Sequence, residues 1–463
     1  MEVIGKLEEN AAYIELGNTS IWKALRMALP LLGTSFIFCL IGVVDMAVAG
    51  WQGAAAQAAV GVADQSIFAT MLIGTGLAAA TGCFVSQAMG ANQTGIARRY
   101  AMDGLALAAI FGTLSATICY FAADAVMQFS GCTQSVRETG VPYLKVCAFG
   151  NLPFMIVLVQ AAILRAIGKT NDCLRMWTLI GLISIAGGVL LYLIEASPWH
   201  HSLTALAVSW NLGALVGMAL TLFLLVSEFA DSKSSCSQFP PATERIKAFC
   251  RVGIPVLLSE ACYIASLFSI YALLGKLPGS ENTQAAYSVT LKIEETFGIL
   301  PLVAMSSVSA TLVGHHIGAG LFKRARVLGW QFAFVCTGIM LIGGALVQGL
   351  TPQLAKLFSD SEAVISCVCI GTAGATISMP LIAFAFILFA SLEGAGKTAL
   401  PLVAQFGGYI LCRLPLAYLF TVTFKMGFSG IWLAIFISRV ALMIMAALIF
   451  RSVDLKPESN SYN

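Results

Sequence analysis

Two stretches of the chain are near copies of each other: VSQAMGANQTGIARR (Val85 to Arg99) and VGHHIGAGLFKRARV (Val313 to Val327), offset by 228 residues. In both, an apolar run ends in Val, passes a polar pair and a Gly-Ala turn, and reaches a basic cluster. LRAIGKT (Leu164 to Thr170) and LEGAGKT (Leu392 to Thr398) keep the same offset of 228, and Leu29-Pro30 precedes Ile254-Pro255 by 225. So constant a spacing over most of the chain means a duplicated half. Whatever fold one half adopts, the other must repeat it, and in membrane chains such repeats commonly build a binding site at their interface.

That this is a membrane chain follows from the runs between the marks, several of which exceed the roughly 20 apolar residues that span a bilayer as helix. Only 11% of residues are charged and 58% are hydrophobic, with a mean hydropathy of +0.86. Soluble domains carry about 25% charge. The predicted spans are 27–50, 58–84, 101–122, 141–164, 176–196 and 203–227, then 252–274, 285–312, 329–350, 364–390, 400–422 and 428–450. The sequence therefore predicts an all-α integral membrane protein of twelve transmembrane helices in two six-helix lobes. The expected divisions are an N-terminal segment 1–20, a lobe 21–228, a Ser- and Pro-containing linker 229–251, a lobe 252–450 and a tail 451–463. Glu2, Lys6, Glu8, Glu9 and Glu15 interrupt the start, so no cleavable signal is expected.

An even number of spans puts both termini on one side of the membrane. Most of the 26 Lys and Arg residues, Arg98, Arg99, Lys169, Lys323, Arg324 and Lys397 among them, fall on the side of the termini and the linker. By the positive-inside rule that side is cytoplasmic. Six spans per half is even, so the halves should be parallel repeats about an axis along the membrane normal.

Enzyme signals fail on spacing. A phosphate-cradling loop needs Gly five residues before the Gly of GKT, where Ile163 and Ser391 stand. A Gly-rich turn at a helix end accounts for both copies, and Gly90 and Gly318 are read as further turn glycines of left-handed backbone. His200-His201 and His315-His316 are adjacent pairs, which diverge by about 100° on a helix and make no metal face. The 13 cysteines, mostly inside apolar runs, read as packing residues. A net charge of +3, scattered among loops, gives nucleic acid no footprint. No metal and no cofactor are expected, apart from a coupling ion.

What remains are charges inside the bilayer, each costing roughly 2.5 to 3.5 kcal/mol at a helix centre on insertion scales, which therefore face protein or a wet cavity. Asp45 is the one charged residue of the first span, 15 residues or about 22 Å of helix beyond Pro30. It suits a site that binds and releases a proton or sodium ion. Glu260 lies five residues past Pro255, and Glu294-Glu295 follows Lys292, which can neutralise one of the two. Arg413 and Arg439 are intramembrane cations suited to pair with these glutamates. Asp64 and Asp103 lie near span ends and read as snorkelling or hydrated.

Together the six-span duplication, VVDMAVAG (Val43 to Gly50), VSQAMGA, LVGHHIGAG (Leu312 to Gly320), the paired GKT turns and RLPLAYLF (Arg413 to Phe420) resemble the multidrug and toxic compound extrusion (MATE) family. The stretch from Lys292 to Gly320 is similar to its bacterial DNA-damage-inducible-protein-F-like branch. The resemblance implies two six-helix lobes around a cleft and export of organic cations in exchange for protons or sodium ions, with Asp45, Glu260 and Glu294 as cation-coupling candidates. Two departures stand out. Tyr263 occupies the place of the seventh-span Glu of NorM-like members, one turn beyond Glu260, and Ser184 to Tyr192 holds no acid where several relatives have an Asp. The expected protein is a monomeric multi-pass antiporter of the bacterial inner membrane, its partners amphipathic drugs or organic cations and membrane lipid. A flippase for a lipid-linked carrier is the alternative, and a membrane-embedded enzyme is disfavoured because no nucleophile, base and orienter come together.

The topology is testable with single-cysteine variants that retain Cys132 or Cys236. An impermeant thiol reagent applied to intact cells should label Cys132 and leave Cys236 untouched; the opposite pattern overturns the orientation.

Overall fold

The structure is a computed structural model describing residues 21–130, 132–194, 202–229, 240–276, 280–358 and 361–456. Residues 1–20, His200-His201, residues 230–239 of the linker with Cys236, and the tail beyond 456 lie outside the described residues. Among the described residues there are twelve helices long and apolar enough to cross a membrane, and no strand. They are α1 (Ile21–Gln52), α2 (Ala54–Gly90), α3 (Thr94–Phe129), α4 (Gln134–Ala166), α5 (Thr170–Leu193) and α6 (Thr204–Glu228) in the first half. The second half has α7 (Ala242–Leu274), α8 (Asn282–Gly318), α9 (Phe322–Phe358), α10 (Glu362–Gly394), α11 (Ala399–Thr423) and α12 (Phe428–Ser452). Hydropathy located every span but underestimated length. α2 and α9 each have 37 residues, about 55 Å of helix against a hydrocarbon core of about 30 Å, so their polar ends continue beyond the apolar windows.

The chain divides into two compact units, 29–253 and 254–463, the second counted with the opening turns of α1 before Leu29. Within the first, α4 packs against α2, α3 and α6; within the second, α10 packs against α8, α9 and α12. These two are the central helices, and 72% and 78% of their apolar windows are buried, against 17% for α1 and for α9. Lipid tails offer no hydrophobic drive for such association, so close approach of small residues matters. A Cβ on Gly394 of α10 would stand 2.1 Å from the Ala310 carbonyl oxygen on α8, and one on Gly213 of α6 would stand 2.9 Å from the Ile180 oxygen on α5.

The duplicated sequence marks are duplicated caps. After α2 the amide of Asn92 donates to the Met89 carbonyl at 3.1 Å and that of Gln93 to Ala88 at 2.9 Å. After α8 the Gly320 amide donates to Ile317 at 2.9 Å and that of Leu321 to His316 at 2.7 Å. The GKT turns do the same, Lys169 to Leu164 at 2.8 Å and Lys397 to Leu392 at 2.9 Å. All four close the helix with the paired bonds of a Schellman motif, in which one residue just past the helix is left-handed. That residue is Asn92 (φ 56°), Gly168 (82°), Gly320 (72°) or Gly396 (74°). The expectation for Gly90 and Gly318 is therefore corrected by two residues: both are the last helical residue of their element, and the left-handed position falls where the reversed amides need it.

Ion pairs tie helix ends together inside the first unit. Arg245 of α7, 7% exposed, donates to both oxygens of Asp103 on α3 at 2.6 and 3.2 Å and to the Pro240 carbonyl at 2.6 Å. Asp103 is thus a paired residue, not a snorkelling one. Lys169, in the turn after α4, pairs with Glu228 at the end of α6.

The caps predict that Gly320→Val, which forces a β-branched residue into left-handed backbone, destabilises the purified protein by about 1–2 kcal/mol. Asn92→Gly, at the matching position, should be neutral or mildly stabilising. Thermal unfolding in detergent reads both, and an unchanged midpoint for Gly320→Val would show that the turn does not hold the helix end.

Candidate functional site

In the first unit, Asp45 sits half-buried on α1, seven residues before the helix ends. Among the described residues it has no ion pair. Its charge acts instead on Asp64 of α2 and on Tyr143 and Cys147 of α4. Tyr143 and Cys147 belong to an apolar core with Val48, Ala59, Ala63 and Leu144, so one wall of the acid site is dry. Asp64 is exposed, as its span-end position suggests, yet it lies within electrostatic reach of Asp45. A second carboxylate near Asp45 was thus missed, because α1 and α2 have to fold back on one another before the two acids approach. Asn151 on α4, bonded to Ser115 at 3.0 Å, and Asn211 on α6, bonded to the Val146 carbonyl at 2.7 Å, add amides to the same helices. The acid-free stretch Ser184 to Tyr192 remains without a carboxylate in this unit, Ser184 itself being buried.

The second unit separates the glutamates by partner. Glu294 and Arg439 of α12 form a buried ion pair, both side chains 5% exposed, and Arg439 also donates to Ser378 on α10 at 2.7 Å. Lys292 turns to Glu295 at 3.0 Å. Arg413, the other intramembrane cation, takes no carboxylate among the described residues: it donates to Ser438 at 2.9 Å and stacks over the Tyr409 ring at 4.7 Å. Tyr409 in turn meets Tyr263 at 5.5 Å between ring centroids. The pairing expected of Arg413 and Arg439 thus holds for Arg439 only, and Tyr263 is a ring in this aromatic layer.

Glu260 has no ion pair among the described residues and is half-buried. Its charge reaches Glu393 near the end of α10 and Tyr409 on α11. Glu393 was not singled out from the sequence, although the signal was present: it is the acid of LEGAGKT at the place where LRAIGKT has Arg165, the two copies differing in sign. Two carboxylates that act on each other repel, and a proton or a cation nearby relieves the repulsion. Among the described residues, the charge of Asp64 is thus felt at Asp45 and that of Glu260 at Glu393.

Backbone irregularity in this unit falls on α8 and α11. α8 makes a π turn at Glu295–Ile299 directly after Glu294, and α11 is π-helical over Phe406–Arg413 and Leu419–Thr423. Such turns recur at functional sites because the extra residue re-aims a side chain. A small cavity of about 30 Å³, lined by Glu294, Phe297, Met340, Thr372 and Met379 among others, adjoins the first of them. Of the adjacent histidines, His316 is buried with Nδ1 2.7 Å from the Leu312 carbonyl, in its own helix.

Twelve apolar helices built as a duplicated six, with carboxylates inside the bundle, define a multi-pass membrane protein of the transporter class. The family model MatE matches residues 30–190 and 255–419, one match in each half, and the chain belongs to the MatE family. Its members are transporters, not enzymes. The chain is 25% identical to a probable multidrug resistance protein NorM of Agrobacterium fabrum, over 88% of both chains. It is 23% identical to an uncharacterized transporter, YisQ, of Bacillus subtilis, over 81% of this chain and 82% of that one. Among solved structures it is similar to a MATE in the straight conformation, with a TM-score of 0.85 at 20% identity over 93% of this chain and 95% of the other. A MOP superfamily transporter from Pyrococcus furiosus, described as having a binding pocket of reverse polarity, gives 0.84 at 20% identity over 93% and 94%. These likenesses establish the twelve-helix fold.

The ion pair carries a prediction. Arg439→Met leaves the Glu294 carboxylate buried without its partner and should cost about 3–5 kcal/mol, whereas adding Glu294→Gln should recover most of the loss. Melting of both variants in detergent checks this; a single variant as stable as the parent would mean that the pair holds nothing together.

Proposed function

We propose that this MatE-family protein is a secondary active antiporter of the bacterial inner membrane, with both termini cytoplasmic, that exports amphipathic organic cations in exchange for protons or sodium ions. The observation that carries the reading is Asp45, a half-buried acid without an ion pair among the described residues, within electrostatic reach of a second acid on α2 and a phenol on α4. Such a group attracts either a coupling ion or a cationic cargo, and the exchange of one for the other is what an antiporter requires. Alternating access supplies the second condition, exposing the site to each side in turn. Relatives named as multidrug resistance proteins support the cargo class. Glu260, whose charge reaches Glu393, and Glu294, which Arg439 holds, are the coupling candidates of the second half. The turns after α2, α4, α8 and α10, with Arg98, Lys169, Lys323 and Lys397, support the cytoplasmic orientation of that end. The protein acts as a monomer in this reading, with lipid around it.

A flippase for a lipid-linked carrier needs cations to meet phosphate. Asp45, Asp64 and Tyr143 offer carboxylates and a phenol, which favours cationic cargo.

The test is uphill, pH-gradient-driven export by reconstituted protein, with and without sodium. Asp45→Asn keeps size and hydrogen bonding but cannot titrate, so it should fold normally and lose at least 90% of coupled transport. Glu260→Gln and Glu294→Gln are measured alongside. Export by Asp45→Asn at close to the parental rate, with loss confined to the glutamate variants, would move the coupling site to the second half.

A further inference from the structure

The basic cluster of the second sequence repeat opens a cavity that the transport reading does not use. Around the start of α9, Lys323, Arg324, Arg326, Trp330, Asp454 and Lys456 line a space of about 700 Å³. Its floor is the segment after α12, folded back and anchored by Leu455, which is 1% exposed. Arg326 makes that anchor: its guanidinium donates to the Arg451 carbonyl at 2.7 Å and to the Val453 carbonyl. Main-chain carbonyls orient the cation without neutralising it. The lining thus carries four cations against one carboxylate, Asp454, whose Oδ1 accepts from the Lys456 amide at 3.1 Å.

The first repeat provides an internal comparison. There Arg98, which matches Arg326, and its neighbour Arg99 have an acid one turn on: Asp103 lies 3.8 Å from Arg99 and is gripped by Arg245. At the equivalent place in the second repeat the residue is Gln331. Charge is therefore balanced in one copy and left open in the other.

The cavity also leads to a lipid-facing surface. Val327 lines it and begins a stripe on α9, Val327, Phe334 and Leu341, that is 54%, 63% and 62% exposed at seven-residue spacing. Trp330 stacks on Phe334 at 6.3 Å and meets Phe384 and Phe450 at 5.8 and 5.7 Å, an indole held where the helix leaves the bilayer. A free anion would use only the cations, whereas a phospholipid would use both the cations and the stripe.

We propose that this cavity binds the headgroup phosphate of an anionic phospholipid, with Lys323, Arg324 and Lys456 on the phosphate and the acyl chains along Val327, Phe334 and Leu341. Basic pockets at a membrane interface attract anionic headgroups at an energy that makes each Lys or Arg worth about fivefold in affinity.

The test is a titration of the full-length protein in neutral detergent with dioleoylphosphatidylglycerol, reading the first bound lipid by native mass spectrometry. Dioleoylphosphatidylcholine and inorganic phosphate are the comparison probes. The expected result is one saturable phosphatidylglycerol, weakened about 30-fold by Lys323→Gln with Arg324→Gln, and unchanged by Arg98→Gln with Arg99→Gln. Lys456→Gln, at an exposed position, should weaken it about fivefold and serves if the double variant fails to fold. Equal weakening by both double variants would reduce the effect to general surface charge. Phosphatidylcholine binding as tightly would remove the anionic requirement, and displacement by inorganic phosphate at matched concentration would assign the cavity to a free anion. Each of these overturns the proposal.

Discussion

Every peptide group placed in hydrocarbon must find its hydrogen-bond partner inside the protein, since lipid offers none. That requirement makes the twelve spans helices and moves the remaining difficulty to their ends, where the last carbonyls have no intrahelical donor. The four Schellman closures at Asn92, Gly168, Gly320 and Gly396 answer it in the same way in both halves. Duplication of sequence is visible first at these turns because the cap tolerates few residue types, while the lipid-facing surface between them tolerates any apolar side chain.

The same dielectric that demands satisfied amides sorts the charges. Glu294 with Arg439 and Asp103 with Arg245 have partners at contact distance, and both pairs lock helices of one unit to each other. Arg413 is accommodated by a hydroxyl and a ring face rather than a carboxylate. Against that background Asp45, Glu260 and Glu393 stand out as carboxylates inside spans with no ion pair among the described residues.

The two halves share architecture but not electrostatics. Position 165 is Arg and position 393 is Glu; Asp103 answers Gln331; Asp45 has no acid counterpart 225 residues on, where Ile270 stands. The geometry of the repeat is kept by caps and small-residue approaches, which are insensitive to charge. Charge could diverge freely within it, giving one half the Asp45 site, the other the Arg439 network and an unbalanced basic cluster.

The sequence by itself determined the membrane class, the twelve spans, the duplication and the position of Asp45. Each is a local property: hydropathy is a sum over a window, and a lone acid in an apolar run is conspicuous without knowledge of its neighbours. The family resemblance was equally legible, through short motifs at turns and helix ends. Only the tertiary structure decided which charges are spoken for. Glu294 and Glu295 are adjacent in sequence, yet one is claimed by Arg439, 145 residues away, and the other by Lys292, one turn away. Glu393 stood inside a recognised motif and gained its meaning from Glu260 on another helix, as Asp64 did from Asp45. The left-handed residue of each cap also had to be seen, because it depends on where the last helical hydrogen bond forms and not on where glycine is written. Partner choice between helices is a long-range property of packing, and no window of sequence contains it.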